Sequence, residues 1–268
     1  MMSARSAAVA LLGVACATVG GCGTQPSPSV PGSRPPSAGW KSPAGATAEP
    51  QPLRFALVSA DGRRITVNAE GGGCTADWRL VPTETASTVT LRLTEYRYEG
   101  GPCAAVAILR QRTTTLQSPL AARRLVDGPS GKAITHFDGR KLATVQWLPA
   151  GASAPEDRPD GAGWIRVYRF PAHPAEAPVW IEQSPGNLLG EDRFHPGMGT
   201  ITTTTVHGRP AGTIAQYDDH GVLLQDQIGW YERGYTYSVT GRPTLGSQQP
   251  FPPHVLKRIA DAMRPPAA

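Results

Sequence analysis

Leu223-Leu224-Gln225-Asp226-Gln227-Ile228-Gly229-Trp230-Tyr231-Glu232-Arg233-Gly234-Tyr235-Thr236-Tyr237-Ser238-Val239 reads as two strands joined by a tight turn. Trp230 and Tyr231 precede the turn at Glu232-Arg233-Gly234, and Tyr235, Tyr237 and Val239 alternate after it. Alternation puts one set of side chains on one sheet face, and glycine supplies the left-handed backbone that short hairpins need. Gly212 to Tyr217 reads as the strand before, which makes a meander. Pro252-Pro253 then open a helix, a place where proline is tolerated. Val255, Leu256, Ile259, Ala260 and Met263 share one side of it and should dock on the sheet. Lys257, Arg258 and Arg264 are left outward.

Working back towards the N-terminus, Trp164 to Tyr168 and Val179 to Glu182 are strand candidates. Gly199 to Val206, with four consecutive threonines, reads as a half-exposed strand, since no repeat supports a threonine array. Pro149 to Gly163 is rich in Pro, Gly and Ala and reads as a linker or long loop. Earlier strands are expected at Leu53 to Val58, Ile65 to Val67, Trp78 to Val81 and Val89 to Thr94. Ala104 to Leu109 has the uniform apolar character of a central strand, and Asp138-Gly139 signals a hairpin between Ile134–Phe137 and Leu142–Val145. Gly71-Gly72-Gly73 reads as a flexible approach to Cys74, and Arg123-Arg124 as a solvated strand edge. The expected fold is mainly β, with two β-rich lobes of antiparallel sheets. They span residues 53–148 and 164–265, joined through 149–163, the second closed by the C-terminal α-helix.

Residues 1–21 carry Arg5, an apolar run from Ala7 to about Val19, and small residues before a cysteine. The run is too short to span a bilayer, which takes about 20 apolar residues. Val19-Gly20-Gly21-Cys22 resembles the lipobox of bacterial lipoprotein signal peptides. That resemblance implies cleavage before Cys22 and a diacylglyceryl group on its sulfur, anchoring the chain at the outer face of the cell membrane. Residues 22–52 are dense in Pro, Ser, Gly and Ala and read as a disordered stalk. The abundance of Arg, Ala, Gly and Pro looks actinobacterial. Cys16 leaves with the signal and Cys22 is modified, so Cys74 and Cys103 remain as a pair, expected to form a disulfide in an exported domain. With no CxxC and no flanking His they make a poor zinc site.

Trp230 with Gly234-Tyr235-Thr236-Tyr237-Ser238-Val239-Thr240-Gly241, followed by Leu256-Lys257-Arg258-Ile259-Ala260, resembles the closing hairpin and helix of small domains at the ends of membrane-anchored bacterial proteins of unknown function. The resemblance spans roughly 60 residues and rests on structural positions, so it transfers no activity.

The formal charge of +5 is spread out, with no run of five basic residues, which suits anionic lipid or wall polymer but not nucleic acid. No Gly-x-Ser-x-Gly elbow is present, and the carboxylate pairs Glu191-Asp192 and Asp218-Asp219 lie in turn-like contexts. Asp218-Asp219-His220, with His195 and His207 as neighbours through folding, has ligand types that suit a divalent metal. Asp-Asp-His-Gly reads more simply as a hairpin loop, so neither a metal nor another cofactor is expected. The expectation is a non-catalytic binding, sensory or accessory module of the envelope, whose partner is an envelope protein, a wall polymer or a hydrophobic ligand. Carriage of a hydrophobic ligand would need a cavity lined by residues such as Trp230, Tyr237, Leu256 and Ile259, and a cryptic wall hydrolase would need polar groups converging in a cleft.

Overall fold

The computed structural model describes residues 41–171, 178–189, 200–217, 220–241 and 251–266. The expected lipobox and the first part of the expected stalk lie outside the described residues. The fold is mainly β, as expected, with several antiparallel sheets and one C-terminal helix. Among the described residues no helix is long and apolar enough to cross a membrane.

The first half contributes β1 (Ala46–Gln51), β2 (Phe55–Val58), β3 (Arg64–Gly71), β4 (Thr75–Glu84), β5 (Thr88–Tyr98), β6 (Ile108–Thr115), β7 (Arg124–Asp127), β8 (Thr135–Asp138) and the short β9 (Thr144–Val145). In one sheet β5 is central: β4 runs antiparallel along one edge, and β1 and the parallel β7 follow one another along the other. The second sheet runs β6-β3-β2-β8, with β8 parallel to β2. Val89, Leu91 and Leu93 point inward from β5, as their alternation predicts, and meet Ile65, Val67 and Ala69 of β3 in one core. Two sheets thus share a buried layer, the sandwich arrangement.

The second half contributes β10 (Glu156–Asp160), β11 (Gly163–Tyr168), β12 (Val179–Pro185), β13 (Thr200–Val206), β14 (Arg209–Tyr217), β15 (Leu223–Glu232), β16 (Tyr235–Gly241), α1 (Pro253–Asp261) and β17 (Met263–Arg264). β10 to β16 form a continuous antiparallel sheet in the order β10-β11-β12-β16-β15-β14-β13. Arg233 (φ 51°) and Gly234 (φ 83°) make the β15–β16 turn with two successive left-handed residues, the tight geometry that matches strand twist. Helix α1 lays Leu256, Ile259 and Ala260 on β15 and β16, in a core with Ile181, Ile228, Trp230, Tyr237 and Val239. β17 then pairs with β9, bringing the chain's end back to its middle.

Several expectations need correction. Ala46–Gln51 fall within the expected stalk but pair with β5, so order begins before residue 53. Ala104 to Val106 are exposed and outside any strand, and β6 starts at Ile108 as a sheet edge, not a centre. Asp138-Gly139 does not turn a hairpin. Asp138 caps a 3₁₀ turn at Gly139–Lys141 by accepting the Arg140 N–H at 2.9 Å, and β8 and β9 join different sheets. Gly139 is required there because a Cβ would lie 2.5 Å from the Val58 carbonyl. Gly71 likewise marks close packing against Thr75, Trp78 and Glu95, not slack. Glu156–Asp160, inside the expected linker, form β10. Arg123 is not solvated: its guanidinium pairs with Glu84 at 2.8 Å and donates to the carbonyls of Ser118 and Pro119. Arg258, exposed as expected, nevertheless lies 3.9 Å over the Trp147 ring.

Candidate binding cleft

The expected disulfide between Cys74 and Cys103 is present, with Cα atoms 5.1 Å apart. It ties the start of β4 to the segment that leads into β6. Cys22, His195, Glu191, Asp192, Asp218 and Asp219 lie outside the described residues. Among the described residues no cluster of three or more His, Cys, Asp or Glu side chains could hold a metal. His207 serves the fold instead. Its Nδ1 meets Glu232 Oε2 at 2.8 Å and its Nε2 meets the Asp261 carbonyl at 3.1 Å, linking the β13–β14 turn to the end of α1.

Trp230, Tyr237, Leu256 and Ile259, the residues expected to line a ligand cavity, are all fully buried in a single core. The rings of Trp230 and Tyr237 stack at 5.2 Å, and α1 closes over them. They face one another and the helix, and the clefts described here are lined by other residues.

The largest of these clefts, of about 640 Å³, lies between the β6-β3-β2-β8 sheet and the β10–β11 edge of the long sheet. Strand parity builds its floor. In β3 Ile65 and Val67 are buried, so Arg64 and Thr66 face outward, and Thr66 stands opposite Thr113 of β6. Their hydroxyls share a hydrogen bond at 2.9 Å. The 3₁₀ turn, held close to β2 by Gly139, contributes Arg140, and the chain beyond it adds Leu142 and Thr144. β10 and β11 supply Asp157 and Arg166.

Charge in the cleft is arranged unevenly. Arg166 is held by its neighbours: Nε and Nη2 bind Asp157 at 2.7 and 2.9 Å, and the guanidinium lies 4.7 Å over the Trp164 ring. Burial works to lower its pKa, but the bonds and charge of Asp157 outweigh that and hold it above its ordinary value. This pair is therefore a wall. Arg140 binds Asp138 through Nε at 3.0 Å and Nη2 at 2.6 Å, leaving Nη1 without a hydrogen bond to any described residue. Arg64 makes no ion pair within 4 Å with a described residue. Ser59, at the cleft's rim, donates to Asp61 and accepts the Arg64 N–H at 2.8 Å. The Ser59 hydroxyl and the Arg63 N–H hold the Asp61 carboxyl below its usual range, which makes it a poor base for activating that hydroxyl.

Sequence reasoning passed over Arg64, Arg140, Thr66 and Thr113 because they are scattered over three segments rather than in a run. The outward parity of Arg64 and Thr66 in β3 was the one local signal. No protein-family model matches the chain, and no curated protein matches it significantly.

Proposed function

We propose that the protein is an envelope module, held at the outer face of the cell membrane by lipid on Cys22, that binds a partner or ligand without transforming it. The observation that carries this reading is Val19-Gly20-Gly21-Cys22, at the end of a short apolar run and followed by a Pro-rich stalk. Two acyl chains suffice for stable anchoring, at about 0.8 kcal/mol per buried CH₂. The Cys74–Cys103 bond is consistent with an oxidising compartment. A binding role is favoured over hydrolysis by the way the polar groups are committed. Ser59 is tied to a low-pKa carboxylate, and Asp157 is bound by both oxygens to Arg166.

The test is metabolic labelling of the full chain with an alkyne fatty acid in a bacterial host, with Cys22→Ser alongside. Label on the native chain, absent from the variant and accompanied by release from the membrane fraction, is the expected result. Equal labelling of both, or of neither, refutes the anchor.

A further inference from the structure

We infer that the cleft floored by Arg64, Thr66 and Thr113 is a binding site for an oxyanion, the carboxylate or phosphate group of a ligand. The inference goes beyond the anchoring reading and does not depend on it.

The lining has hydrogen-bond donors to spare. A pair of hydroxyls that share one hydrogen bond keeps one proton over, so the Thr66–Thr113 pair still has an O–H to give. Thr144 accepts from Gln146 and so retains its own hydroxyl proton. The guanidinium of Arg64 and Nη1 of Arg140 add charged donors that bind no described carboxylate. The one lining carboxylate, Asp157, is already chelated by Arg166. Unused side-chain donors therefore line a cleft whose one carboxylate is occupied, and a ligand that brings acceptors suits it. Charged donors give the stronger hydrogen bonds, and Arg favours planar or tetrahedral oxyanions. The overall charge of +5 would draw such a ligand in.

The opposite end of β3 provides an internal control. Its outward face continues through Asn68 to Glu70, and the Asn68 amide donates to the Pro159 carbonyl at 2.9 Å, fastening β10 across the strand. Beyond that bridge lies a separate cleft of about 500 Å³ lined by two carboxylates, Glu70 and Asp160, and one cation, Arg54. An oxyanion should favour the Arg64 side over the Glu70 side.

The experiment is an NMR titration of the full chain with inorganic phosphate and, separately, with acetate, at constant ionic strength set by chloride. Saturable shifts confined to residues around Arg64, Thr66, Thr113 and Arg140 are expected. Arg64→Gln should weaken binding about tenfold, the loss of one charged hydrogen bond, and Arg140→Gln should weaken it less. Glu70→Gln should leave it unchanged. The anion with the tighter saturation identifies the group as phosphate or carboxylate. Non-saturating shifts, shifts spread over surface arginines, or saturation untouched by both arginine variants would overturn the assignment. Arg64 is exposed, so its variant should fold, and an unchanged spectrum outside the cleft would verify it. Fatty-acid labelling of Cys22 is unaffected by any of these outcomes, so the two proposals fail separately.

Discussion

The two halves of this molecule solve the same packing problem with different connections. The second half is built of two meanders, β10 to β12 and β13 to β16, joined where β12 pairs with β16, and one helix seals the face that carries Trp230 and Tyr237. The first half instead crosses between two four-stranded sheets, uses parallel pairs β2–β8 and β5–β7, and adds a disulfide. Carboxylates pin its connections. The buried Asp127 accepts from the Leu53 N–H and from Ser130, and Glu84 receives the Gln117 N–H and Arg123. Neighbouring strands are joined by tight turns, whereas the crossings of the first half are held by these carboxylates and by a covalent link.

The sharpest way to probe that contrast is to remove a ring from the second half. Trp230→Ala should lower stability by about 3–5 kcal/mol in urea unfolding, because the stacked Tyr237 and α1 lose their support. A cost below about 1 kcal/mol would show that the aromatic core is not what holds the meander to its helix. In the first half, replacing Cys74 and Cys103 together by Ser should cost about 2–4 kcal/mol. Hydrogen exchange on that variant should report faster opening in β4 and β5 and little change in β15 and β16. Equal acceleration in both would break the comparison and mean that the halves open as one unit.

Acidity should separate the halves as well. Hydrogen bonds from Arg140 hold Asp138 below its ordinary value, and Ser59 does the same for Asp61. Burial alone would raise Glu84, but the Gln117 N–H and Arg123 outweigh it and lower it. Such groups contribute stability that is present above their unfolded pKa and lost as pH falls through the folded one. Asp226 on β15 behaves oppositely. It is 2% exposed, one of its oxygens has no hydrogen-bond partner among the described residues, and burial pushes its pKa from 3.8 to about 6. The folded state then holds the proton more tightly than the unfolded state, so stability contributed by Asp226 falls as pH rises from about 4 through about 6. Asp226→Asn should therefore gain about 1–3 kcal/mol at pH 7.5 and nearly nothing at pH 4. A gain that does not vary with pH would remove the titration from the account.

The contrast also explains what could be read from residues alone. The meander was legible because each strand announces itself by alternation, as in Tyr235, Tyr237 and Val239, and each turn by Gly234 or a neighbour like it. The inward set Val89, Leu91 and Leu93 was legible for the same reason. What alternation cannot reveal is which strand a segment joins. Asp138-Gly139 looks like a hairpin, yet Gly139 is glycine because the Val58 carbonyl presses against it from elsewhere in the chain. β10 was hidden by Pro155 and Pro159, which suit an edge strand as well as a loop. The cleft was less legible still. Arg64, Thr113, Arg140 and Arg166 come together only through the packing of β10–β11 on β2 and β3, a juxtaposition without a local signature.

The pairing of β17 with β9 sets an order of events. A ribosome makes the chain from its N-terminus, so every strand of the long sheet exists before α1 and β17 do. Until α1 and β17 have emerged, the aromatic face of β15 and β16 has no lid, and β9 has no partner. The nascent protein therefore carries that face uncovered while the whole sheet is already made, and closes it only when the helix follows.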